Sequence, residues 1–179
     1  MQNLTLLNGQ KFQVTIKRLC HQLIENHNDF SNSVIIGLQP RGVFLANRIS
    51  RELSHIFQDK KILTGYLDTT FYRDDYGRRE IITPSPTEID FIVEKKNVIL
   101  VDDVLFTGRT IRAGMDALLD FGRPGKVELV VLIDRRYSRH LPIAPDYIGM
   151  SVDTITSEKV IVHWKETEGE DSVWLQVKE

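Results

Sequence analysis

The sequence contains one cysteine and no long hydrophobic run. Cys20 has no second cysteine among the 179 residues with which to form an internal disulfide, which favours a reducing compartment. No apolar stretch approaches the roughly 20 residues that span a membrane. The opening residues, MQNLTLLNGQKF, carry neither a basic leader nor a long apolar region, so nothing indicates secretion. We therefore predict a cytoplasmic protein with no membrane partner.

The chain also lacks an excess of positive charge, repeats and low-complexity tracts. Its formal net charge of -2 argues weakly against a surface that grips nucleic acid throughout, although a local basic patch is compatible with it. We expect no DNA partner. A mean hydropathy of -0.21 is typical of a soluble globular protein. The length suffices for one full hydrophobic core and is short for two, so we predict a single domain over residues 1–179.

Strand and helix patterns alternate along the chain. Helical spacing covers residues 11–27, with Cys20 on the buried face, and residues 42–57. Strand patterns cover residues 33–38, 61–67, 97–102 and 127–134, followed by the short strands DYIGMSV, KVIVHW and SVWLQV. This alternation predicts an α/β fold with a mainly parallel, twisted sheet flanked by helices.

Two further segments have distinctive patterns. A third helix follows the strand at 97–102, and we predict that Ile111, Met115, Leu118 and Leu119 share its buried face, with Gly122 as a left-handed cap. Residues 70–90 are charged and have no steady period. Loops of this length in compact domains are usually functional covers or poorly ordered, and this one could include a hairpin.

Two adjacent carboxylates, Asp102 and Asp103, close the apolar strand at 97–102. Ligands bind at the carboxyl ends of the strands in an open parallel sheet. Two carboxylates there can accept hydrogen bonds from paired hydroxyls, as on a ribose, or help to hold a hard cation such as magnesium. An aspartate before a helix is often a simple N-cap. Adjacent buried carboxylates repel each other, however, which favours a ligand or cation as their partner.

A small, hydroxyl-bearing turn, Thr107 to Thr110, follows the carboxylates. It offers backbone N–H groups and hydroxyls at a helix N-terminus, where the helix dipole favours a phosphate, and Gly108 permits close backbone approach. Alone, Thr-Gly could be an ordinary turn. Together, the carboxylates and the turn predict a sugar phosphate site.

The stretch VILVDDVLFTGRT resembles the 5-phosphoribosyl-1-pyrophosphate (PRPP) motif of the type I phosphoribosyltransferases. The blocks GLQPRG, TFYRDD, GRTIRAGMDAL, LPIAPDYIG and SEKV resemble the branch whose members are both uracil phosphoribosyltransferases and regulators of pyrimidine operons. These blocks cover most of the chain. The resemblance implies the type I phosphoribosyltransferase fold with a flexible loop and a small base-binding hood. It also implies conversion of uracil and PRPP to UMP and pyrophosphate with Mg²⁺.

The resemblance assigns catalysis to Asp102, Asp103 and Arg79. The two aspartates would bind the ribose hydroxyls and hold the metal directly or through those hydroxyls. The implied PRPP- and UMP-binding residues are Pro40, Arg41, Gly42, Arg78, Arg79, Asp102, Asp103, Val104, Leu105, Phe106, Thr107, Gly108, Arg109 and Thr110.

Within that set, Pro40-Arg41-Gly42 would hold pyrophosphate, and Arg78 and Arg79 would reach it from the flexible loop. Because the family often has a cis non-proline peptide in the pyrophosphate loop, we expect one at Pro40–Arg41. An ordinary tight turn and a solvated charged loop remain alternatives for these two segments.

Base binding is implied for four residues: Asp134, Arg135, Lys159 and Val160. Asp134 and Arg135 could equally be ordinary charges at a strand end. Uracil is small and uncharged, so we expect backbone hydrogen bonds and an apolar lid to recognise it.

The resemblance further implies a homodimer or larger homo-oligomer whose basic surface binds an mRNA attenuator when a uridine nucleotide, UMP or UTP, occupies the active site. The matching cations are Lys17, Arg18, His21 and Arg139, of which the first three could instead form a solvated helix face. Asn26, Ala144 and Met150 stand where cations are expected. Phosphate contacts supply most of such affinity, so this loss weakens the RNA prediction and leaves the transferase unaffected.

Two other functions stay open at this point. A purine phosphoribosyltransferase would share the PRPP motif, and LPIAPDYIG and SEKV favour the pyrimidine branch. A non-catalytic regulator that senses nucleotides and binds RNA would not need Asp102, Asp103, Arg41 and the loop arginines to be intact.

Overall fold

The structure is a computed structural model and describes residues 2–74, 84–155 and 157–177. In chain order its elements are β1 (Gln2–Leu7), α1 (Gly9–His27), β2 (Ser33–Leu38), α2 (Gly42–Ile56), β3 (Thr64–Leu67), a 3₁₀ turn (Thr70–Tyr72), β4 (Asn97–Leu105), α3 (Arg109–Leu118), a 3₁₀ turn (Leu119–Phe121), β5 (Lys126–Arg136), β6 (Tyr147–Asp153), β7 (Lys159–His163), α4 (Lys165–Glu168) and β8 (Ser172–Val177). The predicted α/β fold is confirmed.

The central sheet has five parallel strands in the order β3-β2-β4-β5-β6. Its inner strands are apolar on both faces because helices cover both sides, which is why they appear in the sequence as continuous hydrophobic runs. Ile35 and Ile99 pack with side chains of α1 and α2 on one face. Val98 and Leu100 pack with side chains of α3 on the other face. In the described ranges, no helix has both the length and the apolar character to cross a membrane.

A second, antiparallel sheet in the order β1-β8-β7 forms the predicted hood. It is anchored by Trp164, which follows β7 and is fully buried. The Trp164 ring lies 5.1 Å from the ring of Phe12 in α1 and 5.7 Å from that of Phe44 in α2, centroid to centroid. These aromatic contacts fix the hood over the first two helices, beside the carboxyl ends of β2 and β4.

The bounds of several elements differ from the sequence prediction. β1 was not predicted, and β3 starts at Thr64 instead of residue 61. α1 starts at Gly9, because the Asn8 side chain caps it by accepting a hydrogen bond from the Lys11 N–H at 3.0 Å. β4 continues through both aspartates to Leu105, so the carboxylates lie within the strand instead of at its end.

The predicted buried face of α3 was wrong in part. Met115 is 38% exposed and Leu119, which lies beyond the helix, is 62% exposed. Small residues take the place of Met115 at the sheet, because a Cβ on Gly114 would lie only 2.9 Å from the Leu38 side chain. Gly122 has a φ of 130° and a ψ of 178° and ends the 3₁₀ turn, so it is not the left-handed helix cap that was predicted.

A buried polar cluster lies near the amino ends of β2 and β5, away from the carboxyl ends of the strands. His27 Nδ1 is 2.9 Å from Ser33 Oγ, and His27 Nε2 is 3.1 Å from Glu128 Oε2. Tyr147 and Lys126 each donate a hydrogen bond to Glu128, at 3.1 and 2.9 Å. Burial lowers the pKa of His27 from its usual 6.5, and the Glu128 charge opposes that change. His27 is therefore neutral in the folded protein at neutral pH.

This cluster predicts a loss of stability in mild acid. Because the folded-state pKa of His27 lies below its unfolded value of about 6.5, the unfolded chain binds more protons as pH falls through 6.5. The His27 contribution is fully present above that pH and is lost below it. We expect the difference in urea midpoint between wild type and His27→Gln to change between pH 7.5 and 5.5, with wild type losing more stability. His21→Gln, at an exposed site on the same helix, should follow wild type. Parallel pH profiles for wild type and His27→Gln would contradict the prediction.

Candidate active site

The two aspartates of β4 point to opposite sides of the sheet. Successive side chains alternate along a strand, so Asp102 follows the face of Leu100, and Asp103 follows the face of Val101. Both are buried, with 8% and 7% exposure. Asp102 lines a cavity towards α3, whereas Asp103 lines a cavity beneath the hood. The strand thus delivers one carboxylate to each of two adjoining cavities.

Burial makes both carboxylates costly to ionise. The pKa of Asp102 is raised well above 3.8 by burial and then by the charge of Asp103, although the Asp103 N–H donates a 2.9 Å hydrogen bond to it. Burial also raises the pKa of Asp103, and the Arg41 guanidinium opposes that increase. Such perturbed carboxylates in a cleft are frequent at functional sites.

The cavity beside Asp102 has a volume of about 200 Å³ and contains the predicted phosphate turn. Gly108 has a φ of 90°, a conformation that favours glycine, and it directly precedes the first residue of α3. The Thr107 carbonyl accepts hydrogen bonds from the backbone N–H groups of His140 at 3.0 Å and Leu141 at 3.3 Å. The turn is therefore held by the segment between β5 and β6, while the start of α3 is open to an anion. We call residues Thr107 to Thr110 the phosphate cradle.

Two polar residues of this cavity were missed by the sequence analysis. Arg73 and His140 line it together with Arg109. Arg73 donates a 3.2 Å hydrogen bond to Thr110 Oγ1, and Arg109 is paired with Asp74. Arg73 belongs to the TFYRDD block, which was the available signal, but its place beside the cradle depends on how the turn after β3 packs against α3.

The loop after β2 brings Arg41 to the other carboxylate. Arg41 Nε donates a 2.9 Å hydrogen bond to Asp103, and its Nη1 lies 3.6 Å from Glu168. Its Nη2 also donates to the Val162 carbonyl of the hood. Arg41 therefore links the central sheet to the hood, and the N-terminus of α2 at Gly42 lies directly beside it.

The expected cis peptide at Pro40–Arg41 was wrong: the cis bond in the described residues is Gln39–Pro40. A tertiary X–Pro amide disfavours the cis form far less than a secondary amide does, so proline places the cis bond on its own N-terminal side.

The sequence and the fold match known proteins. A family model described as phosphoribosyl transferase domain matches residues 2–167. A "Bifunctional protein PyrR" of Desulfosudis oleivorans is 49% identical and covers 94% of this chain and 93% of its own length. One of Microcystis aeruginosa is 42% identical, with 97% of each chain covered. The chain belongs to the PyrR branch of the phosphoribosyltransferase family.

Solved structures of other phosphoribosyltransferases share the fold at low sequence identity. A hypoxanthine-guanine phosphoribosyltransferase of Bacillus anthracis has a TM-score of 0.71 at 18% identity, covering 97% of each chain. The hypoxanthine phosphoribosyltransferase of Trypanosoma cruzi has a TM-score of 0.71 at 16% identity, covering 96% of this chain and 94% of its own. At these identities the likeness concerns the fold alone.

In this PyrR family member the residues predicted for base binding lie in two places. Val160 lines the hood cavity of about 340 Å³ together with Arg41 and Asp103. Lys159 is exposed at the start of β7. Asp134 and Arg135 are buried at the end of β5, where Asp134 accepts a hydrogen bond from Arg139.

Arg135 connects those two places. Its guanidinium donates to the Glu158 carbonyl at 2.9 Å and to Thr154 Oγ1 at 3.0 Å, and so reaches the chain just before β7. The structure therefore brings Arg135 close to the segment that precedes Lys159 and Val160.

The cations predicted to bind RNA differ in their surroundings. Lys17, Arg18 and His21 are exposed on one side of α1. Arg18 donates to the backbone carbonyls of the edge strand β6, at 3.2 Å to Ile148 and also to Gly149. Arg139 is half-buried and donates to carbonyl groups of its own region, including Ile143 at 3.1 Å. Lys17 and His21 therefore remain the more accessible pair.

The predicted pyrophosphate contacts Arg78 and Arg79 lie outside the described residues, as do residues 75–83 of the 70–90 segment in which a hairpin was considered. The flanking parts are described: Tyr66 and Glu88 form an antiparallel bridge beside β3. This bridge brings the chain back to the sheet after the loop.

Proposed function

We propose that the protein transfers the phosphoribosyl group of PRPP to uracil, giving UMP and pyrophosphate, and that it also regulates pyrimidine genes by binding RNA. One observation carries the transferase proposal. The buried Asp102 and the phosphate cradle share one cavity, in a chain whose relatives named "Bifunctional protein PyrR" are 39% to 49% identical. A ribose 5-phosphate needs acceptors for its hydroxyls and an anion site for its phosphate within one cavity, and this cavity offers both. Residues 1–179 would act as one phosphoribosyltransferase domain in the cytoplasm.

In this proposal each part of the site holds a different part of PRPP. The phosphate cradle, with Val104, Leu105 and Phe106 behind it, binds the 5-phosphate. Asp102 and Asp103 accept hydrogen bonds from the ribose hydroxyls. Pro40, Arg41 and Gly42 bind pyrophosphate at the start of α2, where backbone N–H groups and the Arg41 cation meet its charge.

The chemical step places little covalent demand on the protein. The C1–oxygen bond to pyrophosphate breaks, the bond from uracil N1 to C1 forms, and the N1 proton is released. Positive charge develops on the sugar and negative charge on the leaving group, so the main tasks are electrostatic stabilisation and exclusion of water. We assign leaving-group stabilisation to Arg41, Arg78 and Arg79, with Arg79 catalytic, and closure over the substrate to their loop.

The residues of the site suit Mg²⁺ bound together with the substrate. Asp102 and Asp103 are hard oxygen donors, but no cluster of three or more metal-ligating side chains occurs in residues 2–74, 84–155 and 157–177. Mg²⁺ is commonly held by one or two carboxylates and the oxygens of a phosphorylated substrate. We propose that the two aspartates hold it directly or through the ribose hydroxyls. The metal would neutralise charge on the departing pyrophosphate.

For the base, we propose that uracil lies under the hood, near Val160 and Lys159. The apolar side chains of Val160, Ile161 and Val162 line one part of the cavity and suit a small uncharged ring, while Arg41, Asp103, His163 and Glu168 line another part. A purine is the alternative, because the shared fold also serves hypoxanthine-guanine enzymes. The much higher identity to PyrR relatives favours uracil.

For the regulatory role, we propose that a homo-oligomer binds an mRNA attenuator when UMP or UTP occupies the active site. Lys17 and His21 would supply phosphate contacts from α1. Arg18 and Arg139 would have to release backbone carbonyls before they could do the same. Asn26, Ala144 and Met150 add no charge, so we expect modest affinity that decreases steeply with salt.

Pyrophosphate release tests the transferase proposal. The purified protein is given PRPP and magnesium with uracil, hypoxanthine or no base. We expect release that requires uracil. Pyrophosphate release with hypoxanthine but not with uracil would support the purine alternative. No release with any base, despite binding of PRPP, would leave a nucleotide-sensing regulator.

RNA titration tests the regulatory half separately. A pyrimidine-operon leader RNA is titrated with and without UMP, beside an RNA of equal length and shuffled sequence. We expect UMP to strengthen binding of the leader RNA and to leave binding of the shuffled RNA unchanged. Equal affinity for both RNAs would contradict a regulatory role.

A further inference from the structure

Arg135 makes contacts that base recognition does not explain. The side chain lies near the end of β5 and the residue is 5% exposed. It donates hydrogen bonds to Thr154 Oγ1 at 3.0 Å, to the Glu158 carbonyl at 2.9 Å and to the Ile155 carbonyl at 3.4 Å. We call Thr154, Ile155 and Glu158 the hood turn, because they lie between β6 and the first hood strand of the base cavity, β7. Arg135 thus fixes the hood turn to the end of β5.

The same guanidinium covers the ring of Phe106. Its central carbon lies 4.0 Å from the ring centroid, within the range of a cation–π contact. Phe106 directly precedes the phosphate cradle and lines its cavity. In the described ranges no carboxylate oxygen lies within 4 Å of the Arg135 guanidinium, which contacts two backbone carbonyls, one hydroxyl and the Phe106 ring.

Phe106 is also fixed through its backbone. Arg139 donates to the carbonyls of Leu105, at 3.2 Å, and of Phe106. It also donates to the Arg135 carbonyl at 3.0 Å. The backbone of Phe106 is therefore tied to the end of β5, and its ring is tied to the side chain that holds the hood turn. A displacement of the hood turn would move Arg135 and, through it, the ring at the edge of the cradle.

We infer that Arg135 is a positioning residue that couples the hood turn to the phosphate cradle through the Phe106 ring. Arg135 then acts on the reaction through other residues instead of touching the base. The inference rests on the proposed function, because it links the proposed base site to the proposed phosphate site. Occupation of either site stabilises the arrangement that the other needs, so the two ligands bind cooperatively.

A double-mutant cycle on Arg135→Gln and Phe106→Leu tests this coupling. Ribose 5-phosphate serves as the probe of the cradle, because it binds without reacting, and its affinity is measured by calorimetry with and without saturating uracil. We expect each single variant to weaken ribose 5-phosphate by about tenfold, and the double variant to be no weaker than the weaker single variant, because both changes break one connection. Uracil should strengthen ribose 5-phosphate binding in wild type and lose that effect in all three variants.

Further variants separate positioning from simple structural damage. Arg136→Gln is the matched control, since Arg136 is the next residue on β5 but is exposed and paired with Asp153 at 2.6 Å. It should leave the probe affinity unchanged. Arg135→Lys should behave like Arg135→Gln, because an ammonium cannot reproduce the planar set of contacts. Phe106→Tyr keeps an aromatic ring, so adding Arg135→Gln to that variant should still lower the affinity for ribose 5-phosphate.

Several outcomes would overturn the inference. Additive effects of the two changes would show that Arg135 and Phe106 act independently. A rise in the uracil KM alone, with unchanged ribose 5-phosphate affinity, would make Arg135 a direct base contact. If uracil has no effect on wild type but the cycle remains non-additive, the choice of base in the proposed function fails and the coupling stands. If Arg135→Gln does not fold, the Phe106→Leu and Phe106→Tyr pair still decides whether the ring determines cradle affinity and its response to uracil.

Discussion

Asp102→Asn is expected to lower transferase turnover by about 100-fold or more, the loss typical of an essential transition-state contact, while it raises thermal stability. Activity falls because an amide cannot provide the charge that the proposed ribose and magnesium contacts need. Stability rises because the folded protein buries this carboxylate beside Asp103, which raises its pKa well above the unfolded value of 3.8. An acid whose pKa is raised by folding destabilises the folded state as pH rises through that pKa, and asparagine removes the cost.

The pH dependence gives this prediction a sharp measurement. The difference in melting temperature between Asp102→Asn and wild type should grow as pH rises above 3.8, by about 2–4 °C for each 1 kcal/mol in a chain of this size. His27 makes both proteins more stable as pH rises, and this shared contribution cancels in the difference. Asp116→Asn, on the exposed side of α3, should change neither activity nor this difference. A variant that keeps near-wild-type turnover, or that melts earlier at pH 8, would contradict the proposed role of Asp102.

Asp103→Asn should lose activity similarly but gain less stability. Arg41 compensates the Asp103 charge with a hydrogen bond of 2.9 Å, so the amide would leave that guanidinium with a weaker partner. Comparing the two variants separates Asp103, which has a direct hydrogen bond from an arginine, from Asp102, which accepts one from a backbone N–H.

Gly42→Ala is expected to reduce both stability and activity. A Cβ at this position would lie 2.3 Å from the Val101 carbonyl oxygen and 3.1 Å from the Asp102 Cα. Both are backbone atoms of a central strand, so they cannot move aside as a flexible side chain could. Either α2 shifts away from β4 or β4 shifts at Asp102, the proposed catalytic carboxylate. Overpacking of this kind typically costs about 1–3 kcal/mol, and displacement of the proposed pyrophosphate loop should raise the KM for PRPP.

Chemical denaturation and steady-state kinetics measure the two effects together. Gly9→Ala is the matched control. Gly9 begins α1, and a Cβ there would make an ordinary 3.5 Å contact with the Asp171 carbonyl oxygen. It should be neutral or slightly stabilising, since alanine is the better helix former. If Gly42→Ala keeps the stability and the PRPP KM of the wild type, the close approach of α2 to β4 is not required for folding or for PRPP binding.

The sequence was sufficient to predict the central sheet, because each of its strands is a contiguous run, and the proposed PRPP motif is also contiguous. The run from Val98 to Val101 identifies a doubly covered strand, and Asp102 and Asp103 follow it directly. Other features depend on three-dimensional packing. α3 packs through Ala113, Gly114 and Ala117, and such small residues give a weak hydrophobic pattern even though they allow the closest approach to the sheet.

Arginine roles were the hardest to predict. Arg73 lies beside the phosphate cradle because of how the turn after β3 packs, and nothing local in the sequence specifies that. Arg18 and Arg139 were assigned to a basic surface, yet their guanidinium groups bond to backbone carbonyls. A sequence shows where a cation is, but the unpaired carbonyls that attract it exist only in the folded chain.

The pairing of β1 with β8 makes the hood a late structure in folding. These strands come from opposite ends of the described chain, with Gln2 opposite Val177 and Leu4 opposite Leu175. Closing so long a loop is entropically costly until the intervening sheet has already brought the ends together. The central sheet and the phosphate cradle contain no β8 residue, so they can form before β8 pairs with β1. The proposed base cavity, whose β7 wall pairs with β8, would therefore be completed after the phosphate cradle.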